Sequence, residues 1–241
     1  MRELVHFIPI ATTFIALFFA WVVFSRWRDR RSGPHLLWWS AGILLYGVGT
    51  FTEGFTTLFG WSEAIFRAWY ISGALLGGVP LAQGTVYLLL RRKTAHILTA
   101  VITPFILIAS ACVLLTPIDP SLVEPHRLSG SVMEWQWVRA FSPFLNTYAL
   151  IYLVGGAALS AVRFSRKKAT FDRFVGNVLI AVGALSPGIG GMATRMGHTE
   201  ILYIGEFVGI ILIFLGYRWN VRGRSAVRSL APKLAAEEAS G

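Results

Sequence analysis

The sequence predicts an all-α integral membrane protein with seven transmembrane helices, and three observations carry that prediction. Its 241 residues are 55% hydrophobic and only 14% charged, with a mean hydropathy of +0.60, whereas a water-soluble domain carries roughly 25% charged residues. Apolar runs of ~20 residues, the length that crosses a bilayer core, recur between clusters of charge. The basic residues crowd into alternate connectors, which is the asymmetry of the positive-inside rule.

The runs cover about 5–24, 36–59, 63–90, 97–116, 138–162, 174–196 and 200–218. Residues 1–219 then form one seven-helix domain and 220–241 a mobile cytoplasmic tail. The first run ends in the Arg-rich stretch from Ser25 to Arg31 rather than in a small-residue cleavage site, so it reads as a retained helix. In the second, Gly42, Tyr46, Gly49 and Glu53 follow i, i+4, i+7, i+11 spacing and share one helix face. The third carries Arg67, Tyr70, Pro80, Gln83 and Tyr87 and stops at Arg91. The fourth ends at a Pro-Ile-Asp-Pro turn, residues 117–120, which opens the longest connector; that connector closes with Ser131 to Trp137, readable as a short interfacial helix. The fifth places Arg139, Pro143 and Asn146 on one face. In the sixth, Asn177, Ala184, Gly188, Gly191 and Arg195 form a stripe, and Pro187 stands among glycines, where a break would free backbone carbonyls toward a cavity. The seventh contains Glu206 and leads into a basic, then acidic, tail whose arginines suit anionic headgroups.

Charge sets the expected orientation. The connectors at 25–35, 91–96 and 163–173, with the tail, hold 17 of the 22 basic residues and four of the 12 acids. The other side holds five basic residues and eight acids, so the N-terminus is expected outside and the C-terminus in the cytoplasm, in a cytoplasmic (inner) membrane. Trp27, Trp38, Trp39 and Trp219 fall at the inner boundary and Trp61, Trp69, Trp135 and Trp137 at the outer one, where indoles collect. A pI near 10.4 therefore reflects a membrane-side bias, and no nucleic-acid partner is expected. Membrane lipids and a small-molecule ligand are the expected partners, with a homo-oligomer or a larger membrane complex compatible with the same surface.

Spans 1–3 and 5–7 run in the same direction, with span 4 as linker. Gly42, Gly49 and Gly54 align with Gly176, Gly183 and Gly188, compatible with a 3+1+3 parallel repeat. The layout resembles that of PQ-loop/SWEET-type transporters and of microbial rhodopsins in architecture only. There is no Pro-Gln dipeptide, and all four lysines lie in connectors or tail, which excludes a retinal Schiff base.

Several chemistries are excluded. The single cysteine, Cys112, has no partner for a disulfide or a C-x-x-C motif. No histidine falls at mid-depth for a haem, no metal-ligand spacing occurs, and Ser186 stands in no nucleophile elbow. Neither enzymatic activity nor a cofactor or metal is expected.

What remains are ionisable residues in apolar runs: Glu53, Arg67, Arg195 and Glu206, all within about 10 Å of the outer surface at 1.5 Å per residue. Such groups usually face a bundle interior. Two readings stand: acid–arginine pairs that fix helix packing, or a ligand site built from Glu53, Arg67, Tyr70, Asn146, Arg195 and Glu206, with Gly49, Gln83, Pro187 and Gly188 as cavity or hinge positions. The expected function is sensing or receptor-like binding of a small polar or amphiphilic ligand in an outward-opening cavity. Alternatives are a transporter with a proton-coupled glutamate and a structural subunit holding lipid, quinone or pigment. Transport would need a polar path past Gln83 and Asn177.

Overall fold

A computed structural model of the chain describes residues 4–30, 33–165 and 170–238; the side chains of Arg30, Arg195 and residues 223–238 lie outside the described set. A 3-10 turn, Leu4–Phe7, leads into α1 (Ile8–Arg30), followed by α2 (Pro34–Phe59), α3 (Glu63–Trp69), α4 (Val79–Leu89), α5 (Arg92–Leu115), α6 (Phe141–Ala149), α7 (Gly156–Ser165), α8 (Phe171–Arg195) and α9 (Thr199–Glu238). The described residues contain no strand, only isolated bridges in the connector.

The third and fifth expected spans are each two helices joined through a wide turn. Tyr70–Leu75 and Leu150–Gly155 are π-helical, and α4 then starts at Val79-Pro80, where proline has no N–H to continue the ladder. The loosened backbone is used: Asn146 Nδ2 donates to the Ala74 carbonyl at 3.2 Å.

Six helical stretches are long and apolar enough to cross a membrane: Leu4–Asp29, Glu63–Leu89, Arg92–Leu115, Gln136–Ser165, Phe171–Thr194 and Thr199–Arg222. The chain thus has the architecture of a multi-pass membrane protein. Large apolar side chains such as Phe14, Trp21, Leu107 and Phe144 point outward from the bundle, as lipid-facing positions do and as a soluble surface rarely does. The second expected span is the exception to the sequence reading. Helix α2 is 26 residues long, yet it is not among the six, with Gly, Thr and Ser spaced along its buried side. One side of α2 packs against α1, α3, α4 and the Tyr70–Leu75 turn, while Leu37, Leu44, Phe51 and Leu58 point outward from the bundle as lipid-facing positions do. Conversely α5, the fourth span, buries only Ala95, Ala109 and Val113 and lies at the periphery.

Glycines set the closest approaches. Gly42 and Gly49 face Leu81 and Gly73, while Gly47 and Gly54, on another face of α2, meet Ala16 and Ile10 of α1. In α8, Gly176, Gly183 and Gly190 recur every seven residues and lie on α9, against Gly216, Gly209 and Leu202. This is the small-residue packing that membrane helices use to bring backbones together. The face expected from sequence differs: Gly188 and Gly191 have nothing within 4 Å of a built Cβ. Pro187 does not break α8, which continues to Arg195; its ring rests near Gly209. Helix α9 runs on to Glu238, so residues 220–238 continue the helix of the last span. Ala, Leu, Arg, Lys and Glu, which dominate that stretch, are all strong helix formers.

The connector from Pro117 to Ala140 folds over one end of the bundle. Its bridges Ile118–Met133 and Glu124–Arg127 and the Asp119 turn shape it. The Asp119 carboxylate accepts from Ser121 Oγ at 2.6 Å and Ser121 N at 2.9 Å, which holds its carboxyl below the usual range. Val132, Met133 and Leu128 insert into a core shared with Phe66, Leu75 and Leu145. The N–H of Trp61 donates to the Pro125 carbonyl at 2.8 Å, and Arg127 donates to the Thr194 carbonyl at 3.3 Å.

Candidate functional site

The α2 stripe read from the sequence faces the gap between α3/α4 and α9. Because Gly49 lies on Gly73, with 3.3 Å between a built Cβ and the Gly73 Cα, Glu53 one turn further along is brought to Trp69. The Trp69 indole N–H donates to Glu53 Oε1 at 2.9 Å. From the other side comes α9: the Tyr46 hydroxyl donates to the Glu206 backbone carbonyl at 2.8 Å, and the carboxyl groups of Glu53 and Glu206 lie within hydrogen-bonding reach of each other.

Two acids on different helices therefore meet inside the bundle. Glu53 is only 5% exposed. Its Oε2 and the Oε2 of Glu206 are buried and receive no hydrogen bond from any donor among the described residues. Carboxylate oxygens only accept, so the contact becomes a hydrogen bond only when one of the two carries a proton. Tyr203 packs alongside, within electrostatic reach of Glu53, Glu206, Glu200 and Arg127. His6, from the turn before α1, stands edge-on to the Tyr203 ring at 6.0 Å and 4.0 Å from the Glu200 carboxylate.

The acid–arginine pairing considered from sequence is not what forms at Glu53. Arg67 is held by Glu63, one turn back, through Nε at 2.9 Å and Nη2 at 2.6 Å. It also donates to the carbonyls of Val113 and, at 2.9 Å, Thr116, closing the C-terminal end of α5. The side chain of Arg195 lies outside the described residues. Tyr70 is buried in the core under the connector, where Ser142 Oγ donates to its hydroxyl at 3.3 Å, and Asn146 is spent on Ala74. Neither touches the acid pair in any described contact.

Arg67 carries a prediction of its own. It neutralises two helix-end carbonyls while only 14% exposed, whereas Glu63 is 57% exposed. Arg67→Ala is expected to lower unfolding free energy in detergent by about 1–3 kcal/mol, as for lost hydrogen bonds to a charged group. Glu63→Ala should cost under about 1 kcal/mol, as for a surface pair. Equal losses from both would mean that the ion pair, rather than the helix-end contact, is what matters.

Gln83 is fully buried and closed on all sides. Its amide donates to Ala95 O at 3.2 Å and Thr99 Oγ1 at 2.7 Å, and it accepts from the Tyr148 hydroxyl. Tyr87 ties Thr99 to His96 at 3.0 and 2.9 Å. Asn177 pairs with Asn220 at 3.2 Å. These groups are interhelical fasteners in the half of the bundle away from the acids. Two clefts stand out, one lined by Trp61, Glu63, Ile118, Pro120 and Val123 and one by Ser186, Ile189, Gly190 and residues of α9; neither contains Glu53 or Glu206.

Sequence reasoning missed Trp69 and Tyr203 as site residues. Trp69 was legible only as a headgroup-depth indole, and Tyr203 had one available signal, its place with Glu200 and Glu206 at i, i+3, i+6 on one side of α9. Comparison with protein-family models, with curated proteins and with solved structures finds no match to this chain.

Proposed function

We propose that the chain is a receptor-like sensor: a positively charged ligand taken up between Glu53 and Glu206 sets how α9 packs on α2, and α9 carries that change to the opposite end. The observation that carries this reading is the meeting of two carboxyls from different helices, neither of them ion-paired among the described residues. Ionisable groups at such depth are costly and tend to be functional, and among the described residues the scaffold explanation has no arginine to pair with Glu53, because Arg67 is engaged elsewhere.

Two further features support sensing. Helix α9 is a single 40-residue element, about 60 Å at 1.5 Å per residue, with Glu206 in its third turn and the basic Arg218–Arg222 segment well beyond. The half of the bundle holding Gln83 and Asn177 is closed by hydrogen bonds, which suits one-sided binding better than passage. In the orientation that charge asymmetry favours, the acids lie toward the outer face of a cytoplasmic membrane and the far end of α9 reaches the cytoplasm.

Two measurements test this in a Cys112→Ser background. With spin labels at positions 37 and 222, the distance distribution at alkaline pH, where both acids are charged, should change when Glu206→Gln removes one of them at nearly constant size; an unchanged distribution rejects the sensor reading. Cysteines at positions 83 and 177 should resist a membrane-impermeant thiol reagent from both sides. Labelling at either position would instead favour a transporter with a path through the bundle.

A further inference from the structure

The volume around the acid pair limits what its ligand can be. Neither Oε2 has accessible surface, so no water-sized space adjoins the two oxygens that lack donors, and a bound water needs such a space with several polar partners. A dehydrated metal cation needs more: typically six or more oxygen ligands for calcium and six for magnesium. The described residues contain no cluster of three or more His, Cys, Asp or Glu side chains that could hold one. A proton needs no cavity, and one proton satisfies both orphan oxygens at once.

We infer that the ligand of the Glu53–Glu206 pair is a single proton, exchanged with the connector-covered end of the bundle through Tyr203, with His6 and Glu200 at the entrance. This rests on the sensor reading above and makes it a sensor of pH on that side of the membrane. Glu200, Tyr203 and Glu206 descend one side of α9 at i, i+3, i+6, from a surface carboxylate to the buried pair. His6 reaches Glu200 and the Tyr203 ring from the turn before α1, and its Nδ1 is buried with no partner among the described residues.

The transfer balances without any co-reactant. A hydronium ion gives its proton to His6 or Glu200 and leaves as water; the Tyr203 oxygen accepts a proton as its own passes to a Glu206 or Glu53 carboxylate oxygen. The pair goes from two negative charges to one, and the new O–H donates to the facing carboxylate. The groups facing this event are His6 before α1, Tyr46 and Glu53 of α2, Arg127 of the connector, and Glu200, Tyr203 and Glu206 of α9; Trp69 supplies a neutral donor. Arg127 is tied to Glu124 at 3.1 Å and to Thr194 O, so it faces the entrance without quenching the acids.

The test is difference infrared spectroscopy of the full chain in proteoliposomes, titrated with protons alone. The wild type should show a protonated-carboxyl C=O band at neutral pH that disappears on alkalinisation, and carbon-13 glutamate should shift it, which keeps the assignment in the unmutated protein. The double variant Glu53→Gln/Glu206→Gln should lack the band. Tyr203→Phe should keep it but recover it about a hundredfold more slowly after an acid jump, the lower end of what a positioned proton-transfer group contributes. A wild type without the band at any pH, a band that persists in the double variant, loss of the band on adding sodium at fixed pH, or wild-type kinetics in Tyr203→Phe would each overturn the inference. A band as expected with no change in the 37–222 distances would sink the sensor reading alone; a distance change without the band would sink only the proton.

Discussion

Glu206→Gln is expected to make the solubilised protein more stable than wild type at alkaline pH and no less stable at neutral pH. While one proton is shared, Glu53 and Glu206 satisfy each other; raising the pH removes it and leaves two like charges facing inside the bundle. Unit charges about 4 Å apart interact by roughly 4 kcal/mol at an effective dielectric constant of 20, which corresponds to on the order of 10 °C in melting temperature for a chain of this size. The stability supplied by the shared proton is therefore fully present below the ordinary carboxylate range, where the unfolded chain also keeps its protons, and is lost progressively as pH rises until the folded pair gives up its proton. In Glu206→Gln the amide N–H₂ donates to Glu53 Oε2 at every pH, so the alkaline decline should flatten, and Glu53→Gln should do the same from the other side. A thermal-melting series against pH decides it. If both single variants melt well below wild type and keep its pH profile, the acids are paired with a cation after all, and the arrangement is scaffold.

The second large effect separates two kinds of glycine in α8. A Cβ at Gly183 would lie 2.7 Å from the Gly209 carbonyl oxygen and 2.9 Å from Leu212 Cβ, whereas one at Gly188 would meet nothing within 4 Å. Gly183→Ala must push α8 and α9 apart and should cost about 1–3 kcal/mol, as overpacking does, with Gly183→Leu preventing the native pairing. Gly188→Ala, by contrast, should be neutral or stabilising by roughly 0.5–1 kcal/mol, because alanine is the better helix former. Unfolding of the three variants in the same detergent compares them directly. A loss at Gly188 matching that at Gly183 would mean that the open face is covered by something else, such as a second copy of the chain.

The two results bear on how far residues alone carry the argument. The stripe of Gly42, Tyr46, Gly49 and Glu53 is legible because helical spacing is local, and the structure uses it as a contact face. Arg67 was legible as a charge that needs a partner, but nothing in its spacing says that the partners are Glu63 and the end of α5. The α8 stripe failed for a related reason. Two glycine sets, 176/183/190 and 188/191, both fit helical periodicity, and only the position of α9 selects the first.

Membrane class, helix positions and charge asymmetry were determined by the sequence itself, because hydropathy and the positive-inside bias act on each segment independently of its neighbours. The tertiary structure decided which faces of α2 and α8 meet other helices, where the third and fifth spans bend, and that Glu53 meets Glu206 while Arg67 is held by Glu63. Those outcomes depend on how each helix is rotated about its axis and which helix lies beside it. Both are read in the close glycine contacts of α2, α8 and α9, which belong to the packed bundle and which no single segment contains.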